Sequence, residues 1–325
     1  MLKLVYRLAL LFGGAGLLGG LGIGLGLRHG YVDAFYARFT APPAGSLIVG
    51  TSRAAQGIAP ALLAAKLSAR YQGPWLNYAF TLAESPYGPG YLSSIRRKLA
   101  PGTQHGLFIL AVDPWSLSLP KSLLDKSRLQ LTRPKAVESF VFPEDKSMVS
   151  QLAKVSQNPN LDYLAHYLHK PFYQLLLDVD TTRVIERLHP DGWLEVALPA
   201  PAANPSLLRR RTADKLATYQ ELACNSQLAS ARISSLGATI EFLQRHGQVV
   251  LVRLPTGPAM AALEQQYQPD FDRQLGQIAG RWAIPYFNYL TQPYPTTDGN
   301  HLWRGAARSF SQRLAADIAR LPAQP

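Results

Sequence analysis

From residue 46 onward, the chain alternates between two patterns of hydrophobic and polar residues. Five short runs of consecutive apolar residues are typical of strands that are buried on both faces of a sheet. These runs cover residues 47–49, 75–79, 106–112, 248–253 and 284–289. The segments between most of them carry apolar residues three and four positions apart, which is typical of amphipathic helices. The alternation predicts an α/β domain with a mainly parallel, five-stranded sheet.

Helix signals agree with this pattern. We predict helices over residues 58–67, 91–99, 213–246, 263–282 and 303–321. Pro60 falls in the first turn of the first of these helices, where its missing N–H is tolerated. Gly247 follows the third helix, as is common at helix ends. Five strands separated by helices fit a flavodoxin-like three-layer sandwich, in which ligands bind beside strand one at the carboxyl ends of the strands.

The regular alternation stops between residues 115 and 211, which are rich in Leu, Tyr and Pro. A helical pattern covers residues 160–177, and a Pro-rich break covers residues 198–205. We interpret the whole segment as a largely helical insertion that covers or borders the functional site. A second small domain is the alternative, and the sequence alone leaves it open.

The N-terminal part of the chain contains an uncharged run that is long enough to cross a bilayer. Lys3 and Arg7 precede the run, so the positive-inside tendency places the short N-terminus in the cytoplasm. The predicted segments are a cytoplasmic N-terminus (1–7), a transmembrane anchor (8–27), a stalk (28–45) and an extracytoplasmic domain (46–325). The domain would then lie in the periplasm or on the outer face of the cell membrane. A cleaved signal peptide is the alternative, which the absence of a small-x-small cleavage pattern disfavours.

Net charge limits the expected partners. The chain carries a formal charge of +12 at pH 7, in short basic groups such as residues 96–98 and 209–211. We interpret these groups as solvated faces, with attraction to anionic lipid headgroups or to an anionic polymer as the alternative. Nucleic acid is not an expected partner, because no aromatic-basic binding motif accompanies the charge.

Two smaller features concern assembly. Cys224 is the single cysteine, which excludes an intramolecular disulfide, and its helical setting predicts a small core residue. Gly16, Gly20 and Gly24 recur at four-residue spacing in the anchor, which permits close contact between two helices. A homodimer through the anchor is therefore one hypothesis, and chance spacing in a Gly-rich run is the other.

The candidate chemistry lies in two short motifs that are far apart in the sequence. Gly-Thr-Ser-Arg at residues 50–53 follows the first predicted strand, and Asp-Gly-Asn-His at residues 298–301 precedes the last predicted helix. Ser52 would begin a helix, where backbone N–H groups and the helix dipole supply part of an oxyanion hole. His301 would accept the hydroxyl proton of Ser52, and Asp298 would orient the imidazole. Each motif alone is weak evidence, but together they predict a serine-hydrolase active site.

These motifs resemble the first and last blocks of the SGNH (GDSL-like) hydrolase superfamily. The resemblance covers most of the chain after residue 46 outside the insertion, with Thr51 where the first block usually has Asp. It implies that Ser52 is the nucleophile, that His301 is the base and that Asp298 orients the base. It also implies a reaction that needs no external cofactor.

Longer stretches are similar to one membrane-anchored branch of that superfamily. They are residues 50–60, residues 77–86, and residues 301–306 with Phe310 and Ser311. The branch includes the teichoic-acid D-alanylation membrane protein and the alginate O-acetylation proteins, which are implicated in moving acyl groups on cell-envelope polymers. The resemblance therefore implies an acylated glycan, lipid or polymer as the substrate. It further implies a multispan membrane acyltransferase as a partner.

The sequence departs from the superfamily at the second and third blocks, which supply a Gly amide and an Asn side chain to the oxyanion hole. After strand two the chain has Asn77, and after strand three it has Asp113 followed by Pro114. Asn77 is a candidate replacement donor, with hydrogen bonding to the local backbone as its alternative. We interpret Asp113 as a turn-former, because an ionised carboxylate would repel an oxyanion.

Four other residues are weaker candidates. Arg53 and Arg253 would lie at the ligand side of the sheet, where each would either hold an anionic substrate or pair with a nearby carboxylate. His166 and His169 could share a helix face, but a convincing third ligand is not evident in the sequence. No metal site is therefore predicted.

The sequence supports one leading hypothesis and two alternatives. The leading hypothesis is a serine esterase or O-acyltransferase that acts on an envelope glycan, lipid or polymer through an acyl-Ser52 intermediate. The main alternative is a non-catalytic SGNH-fold scaffold or binding protein that partners a membrane acyltransferase. A solute-binding domain also fits the α/β pattern, but it gives Asp298 and His301 no role.

Overall fold

The structure is a computed structural model, and it describes residues 2–29, 38–39, 41–124, 185–198, 200 and 203–322. The strands within these residues are β1 (Ser46–Val49), β2 (Trp75–Asn77), β3 (Gly106–Ala111), β4 (Ser118–Pro120), β5 (Ile185–Leu188), β6 (Leu194–Ala197), β7 (Ser226–Leu228), β8 (Gly247–Arg253) and β9 (Tyr286–Asn288). The helices that lie wholly within them are α1 (Leu2–His29), α2 (Ser52–Gly57), α3 (Pro60–Leu67), α4 (Pro89–Lys98), α5 (Pro205–Asn225), α6 (Ser230–Gln244), α7 (Pro258–Tyr267), α8 (Phe271–Arg281) and α9 (Arg304–Ala319). Four of these helices begin with proline, whose fixed φ suits the first helical turn.

Five strands form one parallel sheet in the order β2-β1-β3-β8-β9. All five strands that the apolar runs predict are present, although β2 and β9 are shorter than predicted. The chain passes from β1 outward to β2 and then returns across β1 to β3. The connections therefore diverge at β1, and in such a sheet a crevice opens beyond the carboxyl end of the strand at this point.

The sheet is buried on both faces, which explains its continuous apolar runs. In β3, Phe108 and Leu110 join a core with residues of α4, α6 and α8. The alternate residues Leu107 and Ile109 join a second core with residues of α2, α3 and α9. Every residue of β3 is buried. Helices therefore cover both faces, and the sheet edge at the carboxyl ends of the strands is left for a site.

The predicted helix over residues 213–246 is wrong in one respect, because it is two helices. α5 ends at Asn225, and the extended strand β7 separates it from α6. β7 pairs in antiparallel fashion with β4, which precedes it by about a hundred residues. The backbone hydrogen bonds of this distant pairing override the local helical pattern, and periodicity alone does not reveal them.

The predicted helix over residues 263–282 is likewise two helices, α7 and α8. Pro269 lies between them. Proline lacks the N–H that would continue α7, and it disfavours helical backbone at the residue before it. The break was therefore visible in the sequence.

Cys224 is not the core residue that its helical pattern predicted. It lies at the end of α5 and is exposed. No residue of α5 is buried, so this helix contributes no fully enclosed side chain to the core.

The second half of the predicted stalk packs onto the domain. Arg38 and Phe39 are buried, and Nη1 of Arg38 donates to the carbonyl of Ala79. Nζ of Lys98 donates to the carbonyl of Phe39 at 2.8 Å and also to the carbonyl of Ala41. The folded domain therefore begins before residue 46, earlier than the predicted boundary.

The structure describes only the two ends of the predicted insertion. β5 and β6 form an antiparallel hairpin, and β4 belongs to the two-stranded pair with β7. The helical pattern at residues 160–177 and the histidines at 166 and 169 lie outside the described residues. The prediction that the insertion is largely helical therefore stays a prediction.

The N-terminal helix α1 includes the predicted anchor. Residues Leu2–Leu21 are long and apolar enough to cross a membrane, and none of this window is buried against the rest of the chain. Length and composition of this kind fit a membrane anchor and a signal sequence equally.

Lys98 gives the fold a testable dependence on pH. Burial lowers the pKa of its ammonium from 10.5 to about 8. The stability linked to its neutral form is therefore present above about pH 10.5 and is lost as the pH falls through about 8. We expect the thermal unfolding midpoint of the wild type, measured relative to Lys98→Met, to rise from about pH 8 to pH 10. The exposed Lys66→Met variant is the control, and a constant difference between wild type and Lys98→Met would contradict this account.

Candidate active site

The turn between β1 and α2 fixes the position of Ser52. Gly50 ends the strand with φ of 151°, and a Cβ there would lie 2.8 Å from the Cβ of Ala111 on β3. Only glycine therefore fits this turn without a shift. The N–H of Gly50 donates to the hydroxyl of Tyr91 at 3.2 Å, and its carbonyl accepts from the hydroxyl of Ser85 at 2.8 Å. Ser52, the half-buried first residue of α2, is thus held at the carboxyl end of β1.

The loop between β9 and α9 presents Asp298 and His301. Thr296 and Leu302 form an antiparallel bridge across its base. The N–H of Thr297 donates to the carbonyl of His301 at 2.8 Å. Oδ1 of Asp298 accepts the N–H of His301 at 2.8 Å. These bonds close a tight loop and direct the other carboxylate oxygen of Asp298 toward the imidazole.

Ser52, His301 and Asp298 meet in a hydrogen-bonded row. Oγ of Ser52 lies 2.8 Å from Nε2 of His301, and Nδ1 of that ring lies 2.8 Å from Oδ2 of Asp298. Because an ionised carboxylate only accepts, Nδ1 carries the hydrogen of the neutral ring and Nε2 accepts from Ser52. The arrangement is that of a Ser-His-Asp triad.

Asp298 is ionised in this setting. Burial on its own raises the pKa of the carboxyl group, but the nearby His301 and the hydrogen bonds from the ring and backbone of His301 outweigh burial. The pKa of Asp298 is therefore held well below its usual range. A permanently ionised Asp298 can stabilise the imidazolium that forms when His301 takes a proton.

Helix α5 contacts the outer side of the loop that carries Asp298 and His301. Nε of Arg211 donates to the carbonyl of Thr297 at 3.2 Å, and Nζ of Lys215 lies 3.8 Å from Oδ2 of Asp298. Thr212 packs so closely on Gly299 that a Cβ there would lie 2.8 Å from its methyl group. Arg211 is the last residue of the predicted insertion, so one described end of the insertion contacts the loop that carries Asp298 and His301.

A buried ionic chain lies beside the triad. Arg53 pairs with one oxygen of the Glu264 carboxylate, and Nη2 of Arg253 donates to the other at 2.9 Å. Arg253 also pairs with Asp272 on α8. Burial alone raises the pKa of Glu264, but the two guanidinium groups outweigh it and lower that pKa. The central carboxylate is therefore ionised between two cations.

The structure corrects the substrate-binding interpretation of both arginines. Only 4% of Arg53 and 1% of Arg253 is exposed, and their guanidinium groups point at Glu264. The alternative, in which each pairs with a neighbouring carboxylate, is the one observed. These arginines form a framework behind Ser52, and neither presents its charge to a polymer in solution.

For Asn77, the structure shows the alternative to an oxyanion donor, which is hydrogen bonding to the local backbone. Its Nδ2 donates to the carbonyls of Ala54 and Ile58, both at 2.8 Å. Its Oδ1 accepts the N–H of Ala79 at 3.2 Å. Both amide hydrogens are thus bonded to the backbone, and Asn77 serves to fasten α2 to the end of β2.

Asp113 forms the predicted turn after β3. Its Oδ1 accepts the N–H of Ser116 at 2.8 Å, and the hydroxyl of Ser116 donates back to its carbonyl at 2.8 Å. Oδ2 lies 4.0 Å from Nη1 of Arg53. Burial raises the pKa of Asp113 by more than Arg53 lowers it. A carboxyl group thus occupies the position where the resemblance leads us to expect an amide.

Asn300 is a site residue that the sequence did not single out. Its Oδ1 accepts from Nε and Nη2 of Arg53 at 2.9 and 2.6 Å. Its Nδ2 lies 3.3 Å from the hydroxyl of Tyr219 and 3.3 Å from Nε2 of His301. Its place between Asp298 and His301 was the available signal. Glu264 and Tyr219 gave no comparable signal, because they reach the site from helices far away in the sequence.

The described residues offer no metal site. Within them, no group of three or more His, Cys, Asp or Glu side chains is placed to hold a metal ion. Nothing in the triad geometry calls for one, because the hydroxyl of Ser52 is already hydrogen-bonded to a base.

Replacement of Gly50 tests the strand-to-helix turn. We expect Gly50→Ala to lower the free energy of unfolding by about 1–3 kcal/mol, because the new methyl group overlaps Ala111 and disturbs the turn before Ser52. Any hydrolytic activity should fall along with stability. Chemical denaturation and an esterase assay would measure the two effects.

Gly102→Ala is the matched control for this variant. Gly102 also has a positive φ, of 74°, but nothing lies within 4 Å of a Cβ placed there. The Gly102→Ala variant should therefore show backbone strain without an effect on the site. Equal losses of activity in the two variants would contradict the assigned role of Gly50.

Comparison with known proteins does not assign this chain to a family. No protein-family model, curated protein or solved structure matches it. Its function is therefore inferred from the residues of the site and their geometry.

Proposed function

We propose that this protein is a membrane-anchored, SGNH-like serine esterase or O-acyltransferase that acts on an acylated glycan, lipid or polymer of the cell envelope. The observation that carries the proposal is the hydrogen-bonded row of Ser52, His301 and Asp298 at the carboxyl end of β1. A hydroxyl, a base and an orienting carboxylate in this order are the parts required for nucleophilic acyl transfer.

The chemistry would proceed in two steps. In the first, Oγ of Ser52 bonds to the acyl carbon, Nε2 of His301 takes the hydroxyl proton, and the carbonyl oxygen becomes an oxyanion. Collapse of this intermediate breaks the ester bond, and His301 returns the proton to the departing alcohol. In the second step, His301 takes a proton from water or from an acceptor hydroxyl, whose oxygen bonds to the acyl carbon. Collapse of this second intermediate breaks the bond between the acyl carbon and Oγ of Ser52, and His301 returns the proton to Oγ. Water gives hydrolysis and an acceptor hydroxyl gives transfer.

The sheet supports the proposed fold. Numbered by position along the chain, its strands run 2-1-3-4-5, which is the flavodoxin-like order. Helices on both faces complete a three-layer arrangement. Ser52 follows β1, the strand at which the connections diverge, so the proposed nucleophile lies where ligands of such sheets bind.

The N-terminal helix supports the proposed location. α1 contains an apolar window over Leu2–Leu21, and within that window Lys3 and Arg7 are the only charged residues. We propose that it anchors the protein by a single span, with the catalytic domain in the periplasm or on the outer face. In that position Ser52 would face the acylated polymers of the envelope and a multispan acyltransferase in the same membrane.

One observation favours the scaffold alternative. Asn77, the candidate oxyanion donor, is bonded to the backbone, and a carboxyl group, Asp113, lies in the turn after β3. Loss of one oxyanion donor costs about 10²- to 10³-fold in rate. A protein in which such donors are missing would keep the fold and the triad but would only position a partner enzyme.

A covalent probe distinguishes the two functions. We expect a fluorophosphonate to label the full-length protein in detergent, and p-nitrophenyl acetate to be hydrolysed. Ser52→Ala should abolish labelling, and His301→Ala should lower labelling and turnover by at least about 10³-fold, because the hydroxyl then has no base. In-gel fluorescence and release of p-nitrophenol provide the two measurements.

Matched variants control for loss of a serine or a histidine away from the site. Ser309→Ala removes an exposed hydroxyl from α9, and His246→Ala removes an imidazole at the opposite end of the sheet. Both should be labelled like the wild type. Equal labelling of wild type and Ser52→Ala, with full function of Ser52→Ala in cells, would support the scaffold alternative instead.

A further inference from the structure

The side-chain amide of Asn300 has a fixed orientation. Its Oδ1 accepts two N–H groups of Arg53, at 2.9 Å from Nε and 2.6 Å from Nη2. A guanidinium group can only donate, so the oxygen must face Arg53 and the nitrogen must face away. Arg53 is itself held by the buried Glu264. The direction in which the Asn300 N–H groups point is therefore set by an ionic chain.

The side-chain nitrogen of Asn300 lies between Tyr219 and His301. Nδ2 lies 3.3 Å from the hydroxyl oxygen of Tyr219 and 3.3 Å from Nε2 of His301. That ring nitrogen lies 2.8 Å from Oγ of Ser52. Nε2 has one lone pair, and the closer hydroxyl of Ser52 occupies it. One amide hydrogen of Asn300 is thus directed at Nε2, an acceptor that it shares with the closer hydroxyl of Ser52.

Proton transfer changes what this hydrogen can bind. Once Nε2 has taken the proton of Ser52, it can no longer accept a hydrogen bond. At the same moment the carbonyl oxygen of the substrate becomes negatively charged near Oγ. A donor that gains its acceptor only at this stage stabilises the transition state more than the ground state, which is the condition for catalysis.

We propose that Asn300 is a catalytic residue that donates its Nδ2–H to the oxyanion of the tetrahedral intermediate. This inference rests on the proposed function. It supplies the side-chain amide that Asn77 does not provide, from the loop that also carries the base. Asn300 is only 1% exposed, and a fixed donor in a site with little water is worth more than the same donor in solution.

A test variant must keep the oxygen that binds Arg53, so that the donor role of Asn300 is separated from its structural role. Asn300→Asp keeps an oxygen for Arg53 but, as a carboxylate, has no hydrogen to donate. Asn300→Ala removes both groups. The thermal midpoint of each full-length variant in detergent reports whether the bond to Arg53 matters for stability.

The activity measurements are the acylation rate with p-nitrophenyl acetate and the inhibition constant of a simple alkylboronic acid. The boronic acid forms a tetrahedral anion on the serine and so mimics the intermediate. Rates are compared in a range where they no longer change with pH, because Asn300→Asp adds a titratable group to the site.

We expect the acylation rate of Asn300→Asp to fall by about 10²- to 10³-fold, with a thermal midpoint close to that of the wild type. Boronate inhibition should weaken by a similar factor, whereas KM should change only a few-fold. Asn300→Ala adds no carboxylate that could repel the anionic adduct, so boronate inhibition should weaken by a similar factor in this variant too. Wild-type boronate inhibition of Asn300→Ala would overturn the inference. If Asn300→Asp has the same acylation rate and the same boronate affinity as the wild type, the inference is overturned.

The outcome also separates this inference from the proposed function. If Ser52→Ala abolishes acylation but Asn300→Asp does not slow it, the proposed function stands and only the role of Asn300 is overturned. If the wild type shows no acylation that depends on Ser52, both are overturned.

Discussion

The geometry of the site depends on the two ion pairs that the carboxylate of Glu264 forms with Arg53 and Arg253. This carboxylate is fully buried and lies between Arg53, which follows Ser52 on α2, and Arg253 at the end of β8. Arg53 in turn holds the side chain of Asn300 in the loop that carries His301. One buried anion thus joins the helix that carries Ser52, the sheet and the loop that carries His301. Removal of one partner from such a pair typically costs about 3–5 kcal/mol, because the remaining charge stays buried without compensation.

This arrangement separates two tasks. Buried arginines fix positions, while the groups that would react lie at the half-buried edge of the sheet, where Ser52 meets His301. The ionic chain is buried, and it supports Arg53 and Asn300 beside Ser52 and His301, which lie 2.8 Å apart. The same division explains why the sequence left two roles open for Arg53 and Arg253. From the sequence, a basic residue at the end of a strand is equally compatible with a substrate ligand and with a framework ion pair.

The features that the sequence predicted are those with a local cause. Strands buried on both faces leave continuous apolar runs, and the triad residues belong to two short motifs beside predicted element ends. The features that it did not predict depend on distant contacts. β7 exists because β4 offers backbone hydrogen bonds. The side chain of Asn77 donates to the carbonyl of Ala54 in α2 and to the carbonyl of Ile58, which follows α2. Asn300 acquires its orientation from Arg53, and no spacing rule relates those two residues.

The central claim is that Ser52 carries the acyl group during turnover, and direct detection of that intermediate tests it most sharply. The full-length protein would be mixed with p-nitrophenyl acetate, quenched in acid during the first turnover and digested for peptide mass spectrometry. The account predicts one added acetyl group on the peptide that contains Ser52, and its decay as hydrolysis proceeds. A burst of p-nitrophenol with the acetyl group on any other residue, or with no acetylated peptide, would contradict it.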